Sequence, residues 1–308
     1  MDRNGVAVIG LAGQSAFLSE SRFPVPGETV SCSELFYELG GKGYNQAIAC
    51  ARMQVPTAFI GAMGNDMWAD ACFQELNTEG ITTCLIPKQM PSAFAVITRI
   101  PEGENTVQVF PGAAKQLEPK DLHRPEVQKI LQCSKWLLLQ NELNTSVLVE
   151  ACAIAKEFNL KVILNPAPAG DIPRCVLDTS ILITPNYGEA CALVGIAEAE
   201  KPDPMLLAEA LRQQHLPDAV ITLGGDGCMI VTSEEILKIP AFSYGKVTDT
   251  TGAGDTFNGV LTAMLSRNLS LELSARYAAV AAGIGVTRPG AAGSIPYGNE
   301  IEQNIHCV

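Results

Sequence analysis

The sequence has 308 residues, of which 47% are hydrophobic and 18% are charged, so it can bury a sizeable core and is not an intrinsically disordered chain. Lys and Arg number 21 against 33 Asp and Glu, and the resulting net charge of −12 disfavours nucleic acid and anionic membranes as partners. An anionic substrate must therefore meet a local cluster of hydrogen-bond donors.

Neither the N-terminus nor the cysteines indicate export or a metal centre. The first apolar run, residues 5–13, is too short to span a membrane and lacks the flanking features of a signal peptide. Ten cysteines and three histidines include no CxxC pair and no closely spaced ligand pair of the kind that zinc requires. Most cysteines stand among Ala, Val and Leu, which predicts reduced thiols and a cytoplasmic protein.

Short apolar runs alternate with helical patterns along most of the chain. The runs are typical of parallel strands buried on both faces, and they cover residues 6–9, 58–60, 136–139, 161–164, 181–184, 219–223 and 229–231. The helical patterns between them cover residues 43–53, 68–79, 146–158, 188–194, 205–214, 254–266 and 271–287. This alternation predicts an α/β sandwich with right-handed crossovers.

Two segments interrupt the alternation. Residues 20–39 contain two prolines, Pro24 and Pro26, and show little helical periodicity. Residues 92–110 predict a hairpin with strands 93–100 and 106–110 around a turn at 101–105. Together they predict a small antiparallel sheet, whose apolar face must cover a ligand or another subunit. We interpret this sheet as a lid, built from parts of residues 13–39 and 91–111, on a single domain that comprises residues 1–308.

The segment DTTGAGDTFNG, residues 249–259, carries the most specific chemistry. Its small residues Gly252, Ala253 and Gly254 precede an apolar helical pattern, so the loop ends at a helix N-terminus, where free N–H groups bind anions. Asp255 at such a site disfavours simple phosphate binding, but it can accept the proton of a hydroxyl that attacks a phosphoryl group. The alternative role of Asp255 is that of a helix cap.

A second glycine-rich loop, GGKGYNQA at residues 40–47, also opens a predicted helix. It is not a Walker A loop, because Gly43 follows Lys42 where Ser or Thr is required, and no GxGxxG follows the first strand. Lys42 and Asn45 are donors at a loop-to-helix corner and suit a ligand with many hydroxyl groups. A plain helix cap is the alternative reading of this loop.

In combination these two motifs resemble those of the PfkB family of carbohydrate kinases, and among its members the ribokinases most closely. The resemblance covers nearly the whole chain and includes PGET at 26–29, NPAP at 165–168, TPN at 184–186 with Glu189, and TLGGDG at 222–227. It implies a ribokinase-like three-layer α/β/α sandwich with a small β-sheet lid. It also implies ATP-dependent phosphorylation of a primary hydroxyl of a small sugar.

The resemblance assigns roles to individual residues. It implies that Asp255 deprotonates the acceptor and that the N–H groups of Gly252, Ala253 and Gly254 form an anion hole for the transferred phosphoryl group. The residues implied to hold the sugar are Gly13, Ser15, Gly41, Lys42, Asn45, Glu142 and Asp255. The residues implied to hold ATP are Asn186, Thr222, Leu223, Gly224, Gly225, Asp226, Gly227 and Gly254.

Two cations and a dimer belong to the same set of implications. Magnesium is expected beside Glu189, through water, and a monovalent cation such as potassium is expected at a second site. The positions that match this second site are Asp249, Thr251, Gly285, Arg288, Gly290 and Ser294. The resemblance further implies a homodimer in which two lids pair and cover their exposed edges.

The sequence departs from the family pattern after the first strand. Sugar kinases of this family usually carry an Asn-x-Asp pair there, whereas this chain has Gly13 and Ser15, with Gln14 between them. Each charge-assisted hydrogen bond lost with that carboxylate is worth about 1.5–3 kcal/mol, so the acceptor need not be ribose. A second departure is Ala279, where the ribokinases have a histidine close to the adenine.

Two other functions remain open at this point. A nucleoside kinase of the same fold would have a larger acceptor pocket, and the missing Asn-x-Asp pair is consistent with it. A non-catalytic sugar-binding sensor is the other alternative. The intact Asp255 argues against a sensor, because a protein that no longer catalyses phosphoryl transfer has no physical reason to keep a base beside its anion-binding loop.

Overall fold

Parallel strands rich in Val, Ile and Leu form the centre of the molecule, as their continuous apolar runs predict. The computed structural model describes residues 5–100 and 105–307 of the chain. In spatial order the nine strands of this main sheet are β13 (Ile236–Ile239), β12 (Cys228–Val231), β11 (Asp218–Thr222), β10 (Ser180–Ile183), β9 (Lys161–Asn165), β8 (Ser134–Gln140), β1 (Gly5–Ile9), β4 (Thr57–Met63) and β5 (Thr82–Pro87). The predicted strands therefore lie side by side in one sheet.

Helices cover both faces of the main sheet. One core contains side chains of α1 (Lys42–Arg52), α2 (Met67–Thr78), α8 (Ala253–Ser266), α9 (Leu271–Gly285) and α10 (Gly298–Asn304). The core on the opposite face contains side chains of α3 (Pro125–Cys133), α4 (Thr145–Glu157), α5 (Arg174–Leu177), α6 (Tyr187–Val194) and α7 (Pro204–Gln213). The predicted three-layer α/β/α sandwich is confirmed. Within the described ranges, no helix is both long enough and apolar enough to cross a membrane.

The two interrupting segments form a separate four-stranded sheet. Its spatial order is β3 (Glu34–Gly40), β2 (Gly13–Ser19), β6 (Ala93–Arg99) and β7 (Asn105–Phe110). The prediction of an antiparallel sheet was wrong in one pairing, because β2 and β6 run parallel. They belong to different segments that both leave the main sheet in the same direction, whereas each segment folds back on itself as an antiparallel pair.

Other differences from the sequence analysis lie mainly at the periphery. The run at 229–231 was expected to be a parallel strand, but β12 pairs antiparallel with both of its neighbours, because short connections join β11, β12 and β13. Five elements with short apolar patterns were not predicted from the sequence: α3, α5, α10, β5 and β13. Of the predicted turn at 101–105, residues 101–104 lie outside the described part of the chain, and Asn105 begins β7.

The glycines of the GGKG loop allow α1 to approach β1. A Cβ on Gly43 would lie 2.6 Å from Gly10 Cα, and one on Gly41 would lie 2.5 Å from the carbonyl oxygen of Leu11. Gly41 caps α1 at a φ of 109°, a conformation that side chains disfavour. The start of α1 is thereby pressed against the end of β1, which places Lys42 and Asn45 at the carboxyl edge of the main sheet.

Candidate active site

The N-terminus of α8 stands between two cavities. The first, which we call the lid cavity, has a volume of about 190 Å³ and lies between the lid sheet, the start of α1 and Asp255. The second, the C-terminal cavity, has a volume of about 380 Å³ and includes Gly254 in its wall. Gly252 caps α8 in the left-handed conformation, at a φ of 74°. The positive end of the helix thus faces the boundary between the two cavities.

Asp255 is held by two amide side chains from α1. Asn45 donates from Nδ2 to Oδ2 of Asp255 at 2.9 Å, and Gln46 donates from Nε2 to Oδ1 at 3.0 Å. The Asp255 side chain is buried, and both donors are buried as well. One hydrogen bond to each oxygen fixes the plane of the carboxylate while leaving a lone pair on each oxygen for a further partner.

Gln46 itself belongs to a buried amide network that the sequence analysis missed. Its Nε2 also donates to Oδ1 of Asn165 at 3.0 Å, and its Oε1 accepts from Nε2 of Gln140 at 2.7 Å. Asn165 in turn donates to the carbonyl oxygen of Thr184 at 3.0 Å. Gln140 and Asn165 end the adjacent strands β8 and β9, and Thr184 directly follows β10. The carboxyl edge of the main sheet therefore orients Gln46, which orients Asp255.

Every residue that was predicted to hold the sugar lies at the wall of the lid cavity. Gly13, Ser15, Gly41, Lys42, Asn45, Glu142 and Asp255 all line it. Lys42, Asn45 and Asp255 supply its polar groups on the side of α1 and α8, whereas its lid side combines apolar side chains with Gln14, Ser15 and Glu38. The apolar wall, which the sequence analysis did not predict, includes Phe17, Ile97, Val107 and Val109.

Three carboxylates surround the Lys42 side chain. Burial lowers the pKa of this ammonium group, but the charges of Asp255, Glu142 and Glu189 together raise it above its ordinary value. Lys42 is therefore a charged group at neutral pH. Its backbone N–H also donates to Oε2 of Glu142 at 3.0 Å.

Glu142 is a buried carboxyl group at the lid cavity with a raised pKa. Burial, with a contribution from the charge of Asp255, raises the pKa of Glu142 to about 7, although Lys42 opposes the shift through its charge and its backbone N–H. The charge of this side chain therefore depends on pH in the neutral range.

The strand β2 presents little hydrogen-bonding capacity to the lid cavity. A Cβ on Gly13 would lie 2.3 Å from the carbonyl oxygen of Ala93, so the pairing of β2 with β6 excludes a side chain at this position. The amide of Gln14 donates to the backbone carbonyls of Ser15 and Glu38, at 2.9 and 3.2 Å. The hydroxyl group of Ser15 is the remaining polar side-chain group at the positions of the Asn-x-Asp pair.

The C-terminal cavity contains part of the predicted ATP site. Thr222, Gly224, Gly225, Gly227 and Gly254 line it, as does Ala279. Leu223 packs against the core, and neither it nor Asp226 or Asn186 lines the cavity. The rest of the wall was not predicted from the sequence, and it includes Ala241, Phe242, Ser243, Tyr244, Gly245, Val247, Ala282, Gly283 and Val286.

Asn186 and Glu189 form a capping box at the start of α6. Asn186 Oδ1 accepts from the N–H of Glu189, and Glu189 Oε2 accepts from the N–H of Asn186, both at 2.8 Å. Burial raises the pKa of Glu189, while the Asn186 N–H and Lys42 oppose this shift. The second carboxylate oxygen of Glu189 remains available to a ligand.

The residues predicted to hold a monovalent cation also come together. Asp249 accepts from the N–H of Thr251 at 2.9 Å and from that of Gly290 at 3.1 Å. Gly285 lies beside Ser294, whose carbonyl oxygen is 3.7 Å from the place that a Cβ would take. The guanidinium group of Arg288 pairs with Glu300, and the resemblance implies a backbone contact to the cation at this position.

Asp249 also has a partner that the sequence analysis did not predict. Arg99, on the lid strand β6, donates from Nη1 to Oδ2 of Asp249 at 2.8 Å. Burial opposes ionisation of Asp249, but its hydrogen bonds and the charge of Arg99 lower its pKa below the ordinary value. The carboxylate of the predicted cation site therefore already has a positively charged partner.

Comparisons with known proteins found a matching family model and similar structures. The family model described as pfkB family carbohydrate kinase matches residues 3–297. The chain is 33% identical over 296 residues to a ribokinase of Haemophilus influenzae, and the alignment covers 96% of each protein. A ribokinase structure from Thermotoga maritima matches with a TM-score of 0.88 at 32% identity, covering 98% of this chain and 99% of the other. An Arabidopsis thaliana ribokinase complexed with ribose and ATP matches with a TM-score of 0.87 at 26% identity, covering 98% of each chain.

Proposed function

Since the chain belongs to the PfkB family of carbohydrate kinases and is an ATP-dependent sugar kinase, we propose that Asp255 removes the proton of the acceptor hydroxyl as this oxygen attacks the γ-phosphoryl group of ATP. One observation carries the proposal: Asp255 lines the lid cavity, while the adjacent Gly254 lines the C-terminal cavity. With sugar in the lid cavity and ATP in the other, transfer takes place across the first turn of α8.

The contacts of Asp255 suit a general base. The amides of Asn45 and Gln46 hold its two oxygens, so the carboxylate does not have to be ordered when the acceptor arrives. A positioned base of this kind contributes a rate factor of about 10²–10⁴. The lid closes over the acceptor and excludes water, which leaves the sugar hydroxyl as the nucleophile beside Asp255.

The first turn of α8 supplies positive potential to the transferred group. The N–H groups of Gly252 and Gly254 and the helix dipole stabilise the charge on the phosphoryl oxygens. The Ala253 N–H, which belongs to the same predicted anion hole, donates to the Thr250 carbonyl at 3.2 Å and must change partner to take part. The charged Lys42 at the wall of the lid cavity adds a positive charge near Asp255.

Magnesium fits the chemistry of the donors beside Glu189. No group of three or more His, Cys, Asp or Glu in the described ranges could hold a metal by itself. Mg²⁺ commonly binds through one or two carboxylates, several waters and substrate phosphates, and the free oxygen of Glu189 suits a water-mediated contact of this kind. When bound with ATP, the ion neutralises charge on the phosphates.

A potassium ion does not fit the charges at the second predicted cation site. The side chain of Asp249 is the one ionised ligand among the positions that match this site, and its charge is already balanced by Arg99 at 2.8 Å. A second cation beside Oδ2 of Asp249 would be repelled by the guanidinium group. We therefore assign no step of the reaction to potassium.

The size of the lid cavity favours a monosaccharide over a nucleoside. Its volume of about 190 Å³ lies below the range of about 300–1,000 Å³ that is typical of sites for drug-sized ligands. The C-terminal cavity, with about 380 Å³, falls within that range and suits the nucleoside part of ATP. The chain is thus proposed to phosphorylate a small sugar and not a nucleoside.

The walls of the lid cavity favour an acceptor with few hydroxyl groups on the side of β2. Gly13 offers no side chain there, the Gln14 amide is engaged by backbone carbonyls, and Phe17 adds an apolar face. Ser15 and Gln14 offer neutral groups there in place of a carboxylate, so a sugar hydroxyl at this wall replaces its bonds to water with weaker ones than a carboxylate would give. We expect a deoxy sugar, or a sugar with an apolar substituent, to be preferred over ribose.

Two predictions about the whole molecule stay predictions. Exposed apolar side chains on β3, such as Leu35 and Tyr37, support pairing of two lids in a homodimer. Buried thiols such as Cys50 and Cys228, whose pKa values burial raises, suit the reducing conditions of a cytoplasm.

The role of Asp255 predicts the behaviour of Asp255→Asn. The variant should lose about 10²–10⁴-fold in kcat for sugar phosphorylation, because the amide cannot accept the proton. Affinity for an ATP analogue, measured by calorimetry, should change by less than about twofold, since Asp255 does not line the nucleotide cavity. The exposed Asp171 provides the matched control, Asp171→Asn, which should behave as wild type. Wild-type turnover in Asp255→Asn would overturn the assignment.

The raised pKa of Glu142 predicts a pH dependence. Ionised Glu142 accepts hydrogen bonds from sugar hydroxyls, so kcat/KM for the sugar should rise by about tenfold between pH 6 and pH 8 as the group with a pKa of about 7 loses its proton. Glu142→Gln, which cannot titrate, should show no such rise. The same profile in both proteins, or a fall with pH in the wild type, would contradict this role.

The acceptor preference is tested by comparing ribose, 2-deoxyribose and a nucleoside at saturating ATP. We expect kcat/KM to be highest for the deoxy sugar and lowest for the nucleoside. Ser15→Asp, which returns a carboxylate to β2, should raise the ratio of ribose to deoxyribose by about tenfold or more, the equivalent of one charge-assisted hydrogen bond. A wild-type enzyme that prefers ribose, or a ratio unmoved by Ser15→Asp, would refute the proposed preference.

A further inference from the structure

Arg99 connects the lid to the loop that leads into α8. It lies on β6, where it pairs with Ser19 of β2. Its guanidinium group forms an ion pair with Asp249 at 2.8 Å, and the side chains are 20% and 5% exposed. An ion pair this well shielded from solvent is screened much less than one on the surface.

Two aromatic rings of the lid fix the guanidinium group in place. Phe17 and Phe36 stack with their centroids 4.5 Å apart and their planes 3° from parallel. Arg99 Cζ lies 5.4 Å from the Phe17 centroid and 5.0 Å from the Phe36 centroid. Cation–π contacts with both rings hold the charge at Asp249 and limit the freedom of the arginine side chain.

Asp249 connects the Arg99 guanidinium group to the start of α8 through hydrogen bonds. Its Oδ1 accepts from the Thr251 N–H, and its Oδ2 accepts from both Arg99 and the Gly290 N–H. Thr251 directly precedes Gly252, the left-handed residue that caps α8. The ion pair therefore stabilises the turn from which the proposed anion hole extends.

The other charged groups around this loop have their own partners. The Glu38 carboxylate accepts from the N–H groups of Ala291 and Gly293, at 2.8 and 2.6 Å. Arg288 pairs with Glu300. Within the described ranges, Asp249 forms its ion pair with Arg99.

We infer that the Arg99 guanidinium is a resident cation of the Asp249 loop, which supports the anion hole at α8 in place of a dissolved monovalent cation. Phosphoryl transfer by this chain therefore does not depend on potassium. The inference rests on the proposed role of the α8 N-terminus in transfer. It makes Arg99 a positioning residue, because the side chain acts through Asp249 and not on the substrate.

The first test compares the wild-type enzyme in KCl, NaCl and choline chloride at equal ionic strength. Turnover in choline chloride should stay within about twofold of that in KCl, because equal ionic strength gives equal screening. The melting temperature should be the same in the three salts. A wild-type enzyme that KCl activates tenfold or more and stabilises against unfolding, relative to choline chloride, would overturn the inference.

The second test removes the resident charge. Arg99→Met should lose about tenfold or more of its turnover in choline chloride and regain much of it in KCl, since a dissolved cation can then approach the unpaired Asp249. KCl, but not choline chloride, should raise the melting temperature of this variant. Arg99→Lys, which keeps a positive charge, should remain independent of the salt. The matched control is Arg276→Met, which removes an exposed pair with Glu272 and should behave as wild type.

The two readouts separate a failure of this inference from a failure of the proposed function. Equal loss of turnover by Arg99→Met in all three salts, with no potassium-specific change in melting temperature, would show that Arg99 merely holds the lid. If Arg99→Met does not fold, the wild-type salt comparison still decides. If no sugar is phosphorylated, the melting temperatures of wild type and Arg99→Met in KCl and choline chloride decide by themselves.

Discussion

The close crossing of α1 and α8 is the constraint on which the site depends. A Cβ on Gly259 would lie 2.4 Å from Ala49 Cβ and 2.5 Å from the carbonyl oxygen of Gln46, so the helices can touch here because Gly259 has no side chain. Asp255 lies four residues earlier, on the same face of α8. The crossing therefore brings Asn45 and Gln46 of α1 within hydrogen-bonding distance of Asp255. A larger residue at 259 would separate the carboxylate from the groups that orient it.

The fold also explains why the two substrates meet at one helix end. The carboxyl ends of the parallel strands supply the buried amides that orient Gln46, and Gln46 holds Asp255 in the first turn of α8. Lid strands close one cavity, and the segment 241–247 closes the other. Because α8 begins at their boundary, its N–H groups face the transferred charge while Asp255 faces the acceptor.

The sequence was sufficient to predict the elements that depend on local pattern. The strands, the helices, the two glycine-rich loops and the lid segments are each recognisable from a short, continuous stretch of sequence. The predicted sugar-binding residues all line one cavity because both glycine-rich motifs lie at helix starts on the same sheet edge.

The contacts that could not be predicted from the sequence depend on distant partners. The bonds between Gln46 and Asp255, or Arg99 and Asp249, join residues 209 and 150 positions apart. Nothing in the local sequence distinguishes Arg99 from the arginines on the surface. The parallel pairing of β2 and β6 depends on how two separate segments leave the main sheet.

The central claim is that Asp255 activates an acceptor hydroxyl in a cavity that excludes water. It is tested most directly by ADP release from the wild-type enzyme with magnesium and ATP, in the presence and absence of its best acceptor. The account predicts that the acceptor stimulates ADP release by at least about a hundredfold, with one sugar phosphate formed per ADP, because a hydroxyl held beside the base outcompetes water. ADP release at the same rate without acceptor, or without formation of a sugar phosphate, would contradict it.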